Sequence, residues 1–254
     1  MRVGIIGFAG SGKDTIAKML QEQLWEQGYC CGIERFASPL KDLARAVFGN
    51  DFDDRSVKEV LVPFTHEMKQ VAYSEIKAAQ MQLLSASQEE NQKFDVLLDE
   101  LLLKDLISPR TFQQYVGTDL FRAIKPTVWV DATRAKTEST GIILIPDVRF
   151  GDEAAICDAL ILVNRPGIDA VESHVSEKLA HDFMHLKLGK CEVGDLKNTS
   201  AIGYVVKNYD HTNAYSHQEF FYVFNHYSLE RMQFILSEVV TPRLMDMWWR
   251  GVQL

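Results

Sequence analysis

Short strand-like runs recur along the chain at residues 3–6, 33–36, 142–145, 160–163 and 221–224, each with the length of a buried strand. Stretches with helical spacing of their apolar positions separate them. That alternation predicts an α/β fold, a parallel sheet flanked by helices. One interval breaks the rhythm. From about residue 39 to residue 136 no strand pattern stands out, and helices are predicted over 40–48, 65–85, 91–106 and 111–124, with Pro63 and Pro109 as stops. We read residues 39–136 as a helical insertion within one domain spanning 1–254. Residues 80–93 are polar and weakly patterned, which predicts a loop or a loosely held helix pair. A second departure, residues 178–218, is rich in Gly, His, Asn and Tyr and reads as a surface excursion with a short strand at 204–206. Its His181, His185, His211 and His217 match no compact metal-ligand spacing. A final helix is predicted behind an N-cap at Ser228, with Trp248 and Trp249 docking the C-terminal end on the body.

The first strand runs into Gly7-Phe8-Ala9-Gly10-Ser11-Gly12-Lys13-Asp14-Thr15, the pattern G-x-x-x-x-G-K with Asp and then Thr after the lysine. An amphipathic helix follows. A strand, a glycine loop and a helix N-terminus gather backbone N–H groups around one point, and the helix dipole adds positive potential there. Gly7, Gly10 and Gly12 allow close backbone approach, Ser11 completes the turn, and Lys13 brings a point charge to the outer phosphates. The pattern implies a nucleoside triphosphate site. Thr15 offers a hydroxyl to a phosphate or to the water of a bound Mg²⁺. Asp14 reads either as a first-turn carboxylate that suits the dipole, or as a group that organises metal water or the acceptor.

Phosphoryl transfer depends on positioning and charge neutralisation, so Arg, Lys and a metal-binding carboxylate should accompany such a loop. The apolar run 142–145 ends in Pro146-Asp147, the form of a strand that carries its Mg²⁺ ligand at the tip. Arg149 stands two residues later and reads equally as a phosphate ligand or as half of a surface ion pair. Ser38-Pro39 opens a helix that also carries Lys41, suited to an anionic acceptor. Arg110 and Gln114 share a helix face, the first suited to a phosphate and the second to a base edge, or both are solvent-facing residues.

Bulk properties narrow the class. A net charge of −8 argues against a nucleic-acid partner, and so against a strand-tracking motor. Cys30, Cys31, Cys157 and Cys191 form no C-x-x-C pair and read as reduced thiols. The first strand leaves no room ahead of it for a signal peptide, and no apolar run is long enough to span a membrane. We expect a cytoplasmic protein. The oligomeric state stays open, a homodimer being the commonest arrangement.

The Gly12-Lys13-Asp14-Thr15 loop resembles that of phage-type deoxynucleoside monophosphate kinases. So do Ala37-Ser38-Pro39-Leu40-Lys41-Asp42 and the spacing of Arg110, Gln114 and Gly117-Thr118-Asp119 ahead of Trp129. Pro146-Asp147-Val148-Arg149, Asp152-Glu153, Arg165-Pro166-Gly167, His174, Glu177 and Asn225-His226-Tyr227-Ser228-Leu229-Glu230 continue the series in the family's order. The resemblance implies an adenylate-kinase-like P-loop fold with a helical monophosphate-binding arm and a small lid. It implies ATP with Mg²⁺ as donor, a deoxynucleoside monophosphate as acceptor, and the host cytoplasm of a bacteriophage as location.

Carried over by position, residues 7–15 hold the donor phosphates, with Lys13 and Asp14 catalytic and Thr15 and Asp147 on the metal. Arg149 bridges the two substrates' phosphates, and Arg165 lies near the donor nucleotide. Arg134 is taken as the lid arginine, with Arg122 and Lys136 equally available. Ser38, Lys41, Arg110, Gln114, Thr118, Asp119 and Trp129 serve the acceptor. Dephospho-coenzyme-A and phosphomevalonate kinases look similar in the loop and in the Pro-Leu-Lys element, but the Arg110/Gln114 pair suits a nucleobase better. A structural protein with a vestigial loop is disfavoured by intact Lys13 and Asp147.

Overall fold

The computed structural model describes residues 1–54, 56–138, 141–165, 167–168, 179–180, 203–206, 219–224 and 229–252. In chain order the first elements are β1 (Arg2–Ile6), α1 (Lys13–Glu26), β2 (Cys31–Ile33), α2 (Ser38–Phe48), β3 (Val62–Pro63), α3 (His66–Leu83) and α4 (Gln88–Leu102). There follow β4 (Leu106–Ile107), α5 (Pro109–Gln114), α6 (Val128–Thr137), β5 (Ile142–Ile145), α7 (Gly151–Ala155) and β6 (Ala159–Asn164). The last are β7 (Gly203–Val206), β8 (Glu219–Phe224), α8 (Leu229–Ile235) and α9 (Thr241–Val252). Two compact units divide the chain, Met1–Phe36 with Thr133–Leu254, and Ala37–Ala132.

The first unit is built on a six-stranded sheet in the order β2-β5-β1-β6-β8-β7. Its first five strands are mutually parallel, and β7 pairs antiparallel at the edge. Continuous apolar runs make this possible: Val3, Ile5, Ile6 and all of β5 are buried, as strands covered on both faces must be. Helix α1 packs Ile16, Ala17, Leu20 and Leu24 into the same core, which Leu236, Val240 and Leu244 from the C-terminal helices complete. Trp248 is half-buried against that core, while Trp249 is exposed and donates its Nε1–H to the Tyr29 hydroxyl at 2.6 Å.

The second strand lies earlier than expected, over Cys31–Ile33 rather than 33–36. Glu34 still donates its N–H to Leu144 O at 3.0 Å, but the Phe36 N–H goes to the Asp147 carboxylate at 3.1 Å, so the chain has turned off the sheet. The strand expected at 204–206 is present as β7. Most of the 178–218 excursion lies outside the described residues, with His181, His185, His211, His217 and Cys191. The N-cap expected at Ser228, and landmarks Pro166, His174 and Glu177, lie outside them too.

The second unit is helical, with one addition the sequence did not suggest. Strands β3 and β4, two residues each, pair antiparallel, Val62 opposite Ile107. Runs that short carry no readable period. Leu106 belongs to this ribbon, so α4 ends at Leu102 instead of reaching 106. The weakly patterned stretch 80–93 holds the end of α3, a short turn and the start of α4. Ser87 Oγ accepts the Glu90 N–H at 3.2 Å while the Glu90 carboxylate accepts the Ser87 N–H at 2.8 Å, a reciprocal cap that starts α4. Across the pair Lys77 donates to Gln80 and Asp95, and the buried Gln80 amide donates to Asn91 at 2.8 Å. Helix α5 begins behind Ser108, whose Oγ accepts the Thr111 N–H at 3.1 Å, and continues as a wide π-helical segment over Tyr115–Arg122. Four phenylalanines, Phe52, Phe94, Phe112 and Phe121, are fully buried at the centre of this unit.

Candidate active site

In the first unit the chain reaches β1, crosses to β2 at the edge, then returns to β5 beside β1 before passing to β6 on its other side. That reversal puts a crevice outside the carboxyl ends of the central strands, the place where open α/β sheets take ligands. The glycine loop leaves β1 there, Asp147 and Arg149 leave β5 there, and Arg165 leaves β6 there. Arg165 Nη1 donates to Gly10 O at 3.3 Å, which brings the guanidinium to the loop.

The loop's shape follows from its glycines. Gly10 and Gly12 are left-handed, at φ 81° and 97°. A Cβ on Gly7 would stand 2.5 Å from Val163 O and 2.6 Å from Ser11 Oγ, so no side chain fits. Gly12 starts α1 without a side-chain cap, so the first-turn N–H groups of that helix open toward the loop. Lys13 folds back across it, its Nζ donating to Gly7 O at 2.7 Å and Phe8 O at 2.8 Å. The loop thus curls around the Lys13 ammonium at the start of α1, an arrangement suited to a polyphosphate. Gly7→Ala is expected to cost about 1–3 kcal/mol of stability through backbone displacement, read as a lower urea midpoint.

Around the loop, Asp14 is exposed and pairs with Arg35 at 2.6 Å, and Thr15 is exposed. Glu34 pairs with Lys136 at 2.7 Å. The Asp147 carboxylate holds the Phe36 N–H, so it fixes the turn after β2 as well as standing at the tip of β5. Buried Glu153 accepts the N–H groups of Arg149 and Phe150 at 2.8 and 3.2 Å, which fixes the backbone that carries the exposed Arg149. Arg134 is exposed on α6. Thr15 and Asp147 supply hard oxygens, the donor type Mg²⁺ prefers. Among the described residues no three His, Cys, Asp or Glu side chains cluster as a metal cage.

The second unit carries the remaining predicted residues. Ser38 and Pro39 form the first turn of α2, after Ala37. Lys41, one turn on, pairs with Asp53 at 2.5 Å, and Lys58 bonds the other oxygen of that carboxylate. Burial raises the Asp53 pKa, but the hydrogen bonds and charges of the two lysines outweigh it and hold the carboxyl below its ordinary value of 3.8. A depressed carboxyl stabilises the fold above its ordinary pKa and loses that contribution as the pH falls through the folded value. Acid unfolding monitored on Asp53→Asn is therefore expected to show a shallower slope below pH 3.8 than the parent protein.

Arg110 is exposed on α5, pairs with Glu59 at 3.2 Å, and donates its N–H to Lys58 O at 3.0 Å. Gln114 is half-buried one turn later, and Thr118 and Asp119 are exposed. Trp129, expected to serve the acceptor, lies on α6. It is 3% exposed, its ring lies 5.1 Å from Phe121, and its Nε1–H donates to Gly117 O at 3.0 Å. A Cβ on Gly117 would stand 2.7 Å from Leu40, so the π-helical segment and α2 approach closely there. Trp129 thus braces the backbone that bears Thr118 and Asp119.

Arg35 and Lys58 carry no sequence expectation, and Glu153 enters the sequence series only as a landmark without a role. Only Glu153 left a local trace, standing three residues after Phe150 at a helix start. The partners of Arg35 and Lys58 become visible only in the folded chain. Among the described residues no helix is long and apolar enough to cross a membrane. No protein-family model matches the chain. Over 186 residues, 61% of this chain and 70% of the relative, it is 27% identical, and so similar, to the deoxynucleoside-5'-monophosphate kinase of Escherichia phage T5.

Proposed function

We propose that this chain is a phosphotransferase that moves the γ-phosphoryl group of ATP to a deoxynucleoside monophosphate, releasing ADP and the deoxynucleoside diphosphate. The observation that carries the reading is the loop: a cradle closed to any Cβ at Gly7, with Lys13 folded into it, at the sheet edge from which Asp147, Arg149 and Arg165 emerge. The similarity to the phage T5 kinase supports the choice of acceptor.

The loop N–H groups and Lys13 bind the donor phosphates and take up charge that develops during transfer. Arg149 meets the transferring phosphoryl, Arg165 the donor nucleotide, and Arg134 acts as the lid cation. Asp14 orients the reacting groups through its pair with Arg35. Thr15 and Asp147 hold Mg²⁺, which when bound with ATP neutralises phosphate charge. In the helical unit Lys41 and Arg110 bind the acceptor phosphate, and Gln114 reads the base. Ser38, Thr118 and Asp119 line the acceptor, with Trp129 holding them in place.

The test separates the two substrates. Arg110→Ala is expected to raise the acceptor KM by about tenfold or more while the ATP KM stays near the parent value. Equal changes in both constants would contradict an acceptor role for Arg110. The Arg110–Glu59 pair is largely exposed, so little stability is lost with it.

A further inference from the structure

Two lysines on one carboxylate is an unusual arrangement for a structural tie. Asp53 closes the short turn after α2, and its two oxygens take Lys41 from α2 and Lys58 from the following loop. A single pair would hold that turn. The second ammonium brings two like charges within about 6 Å of each other, by hydrogen-bond geometry at one carboxylate. One carboxylate thus serves two ammonium groups. Arg110 is tied to the same loop through its backbone N–H, which donates to Lys58 O, and its guanidinium pairs with Glu59.

Two half-buried ammonium groups therefore share one carboxylate, a pattern that suits a visiting dianion. We infer that Lys58 is a substrate-binding residue that grips the acceptor's phosphate together with Lys41 and Arg110, with Asp53 the positioning residue that holds both ammonium groups in place. The inference rests on the kinase reading above. It adds a residue that neither the loop nor the motif series indicated.

The experiment uses the full chain and measures both Michaelis constants. Lys58→Met is expected to raise the deoxynucleoside monophosphate KM by about tenfold or more with the ATP KM within about twofold. Lys58→Arg, which keeps the charge, is expected to recover most of that loss. A tie that is only structural would instead lower the melting temperature and leave the acceptor KM unchanged. If Lys58→Met does not fold, Lys58→Gln is measured in its place. An unchanged acceptor KM in a folded variant overturns the assignment of Lys58 while leaving the kinase reading intact. A parent protein that turns over no deoxynucleoside monophosphate overturns both.

Discussion

Lys13→Ala is expected to fold like the parent protein and to lose about two to three orders of magnitude in turnover. The side chain lies within the loop, with its ammonium on the carbonyls of Gly7 and Phe8. Its removal deletes two hydrogen bonds at a loop surface and leaves the sheet core untouched. Stability should therefore change little, whereas charge compensation for the donor phosphates is lost at its centre. In a loose phosphoryl-transfer transition state the charge spreads over the equatorial oxygens, and a fixed cation there acts on the barrier itself. Circular dichroism and kcat, taken on the same preparation, check both halves. Turnover near that of the parent would remove the loop as the donor site.

Phe112→Ala is expected to cost the helical unit about 3–5 kcal/mol. The ring is fully buried on α5 and meets Phe48 edge-on at 5.4 Å and Phe64 at 6.4 Å. Edge-to-face contacts add to the area term, and truncation leaves a void that two other aromatics border. The consequence reaches function because α5 carries Arg110 and Gln114. As the helix loosens, the acceptor KM should rise alongside the fall in denaturation midpoint. Phe112→Leu, which fills most of the volume, should cost roughly 1 kcal/mol. A loss of under about 1 kcal/mol in the alanine variant would contradict this packing.

The sheet of the first unit was legible because parallel strands buried on both faces are continuous apolar runs, as in Val3 to Ile6 and Ile142 to Ile145. The shape of the glycine loop was legible because its demands are local, glycines where no Cβ fits and a lysine at the helix start. Other features were less accessible for physical reasons. The exit of β2 depends on a carboxylate far along the chain, since Asp147 takes the Phe36 N–H and draws the backbone off the sheet. The ribbon of β3 and β4 is too short to show a period. The start of α4 was written in the sequence as Ser87 with Glu90, but the weak apolar pattern around it masked the cap. Trp129 stood out as a landmark by its type, and its depth in the core shows only in the fold. Lys58 owes its interest to a tertiary meeting with Lys41 on Asp53, which no local spacing encodes.

Transfer to a deoxynucleoside monophosphate is tested by measuring ADP release from Mg²⁺-ATP with each deoxynucleoside monophosphate in turn. Ribonucleoside monophosphates, dephospho-coenzyme A and phosphomevalonate are run in parallel. Turnover is expected with one or more deoxynucleoside monophosphates, dependent on Lys13, with a deoxynucleoside diphosphate formed for each ADP. Silence with every nucleotide, alongside turnover of dephospho-coenzyme A or phosphomevalonate, would contradict the proposed acceptor.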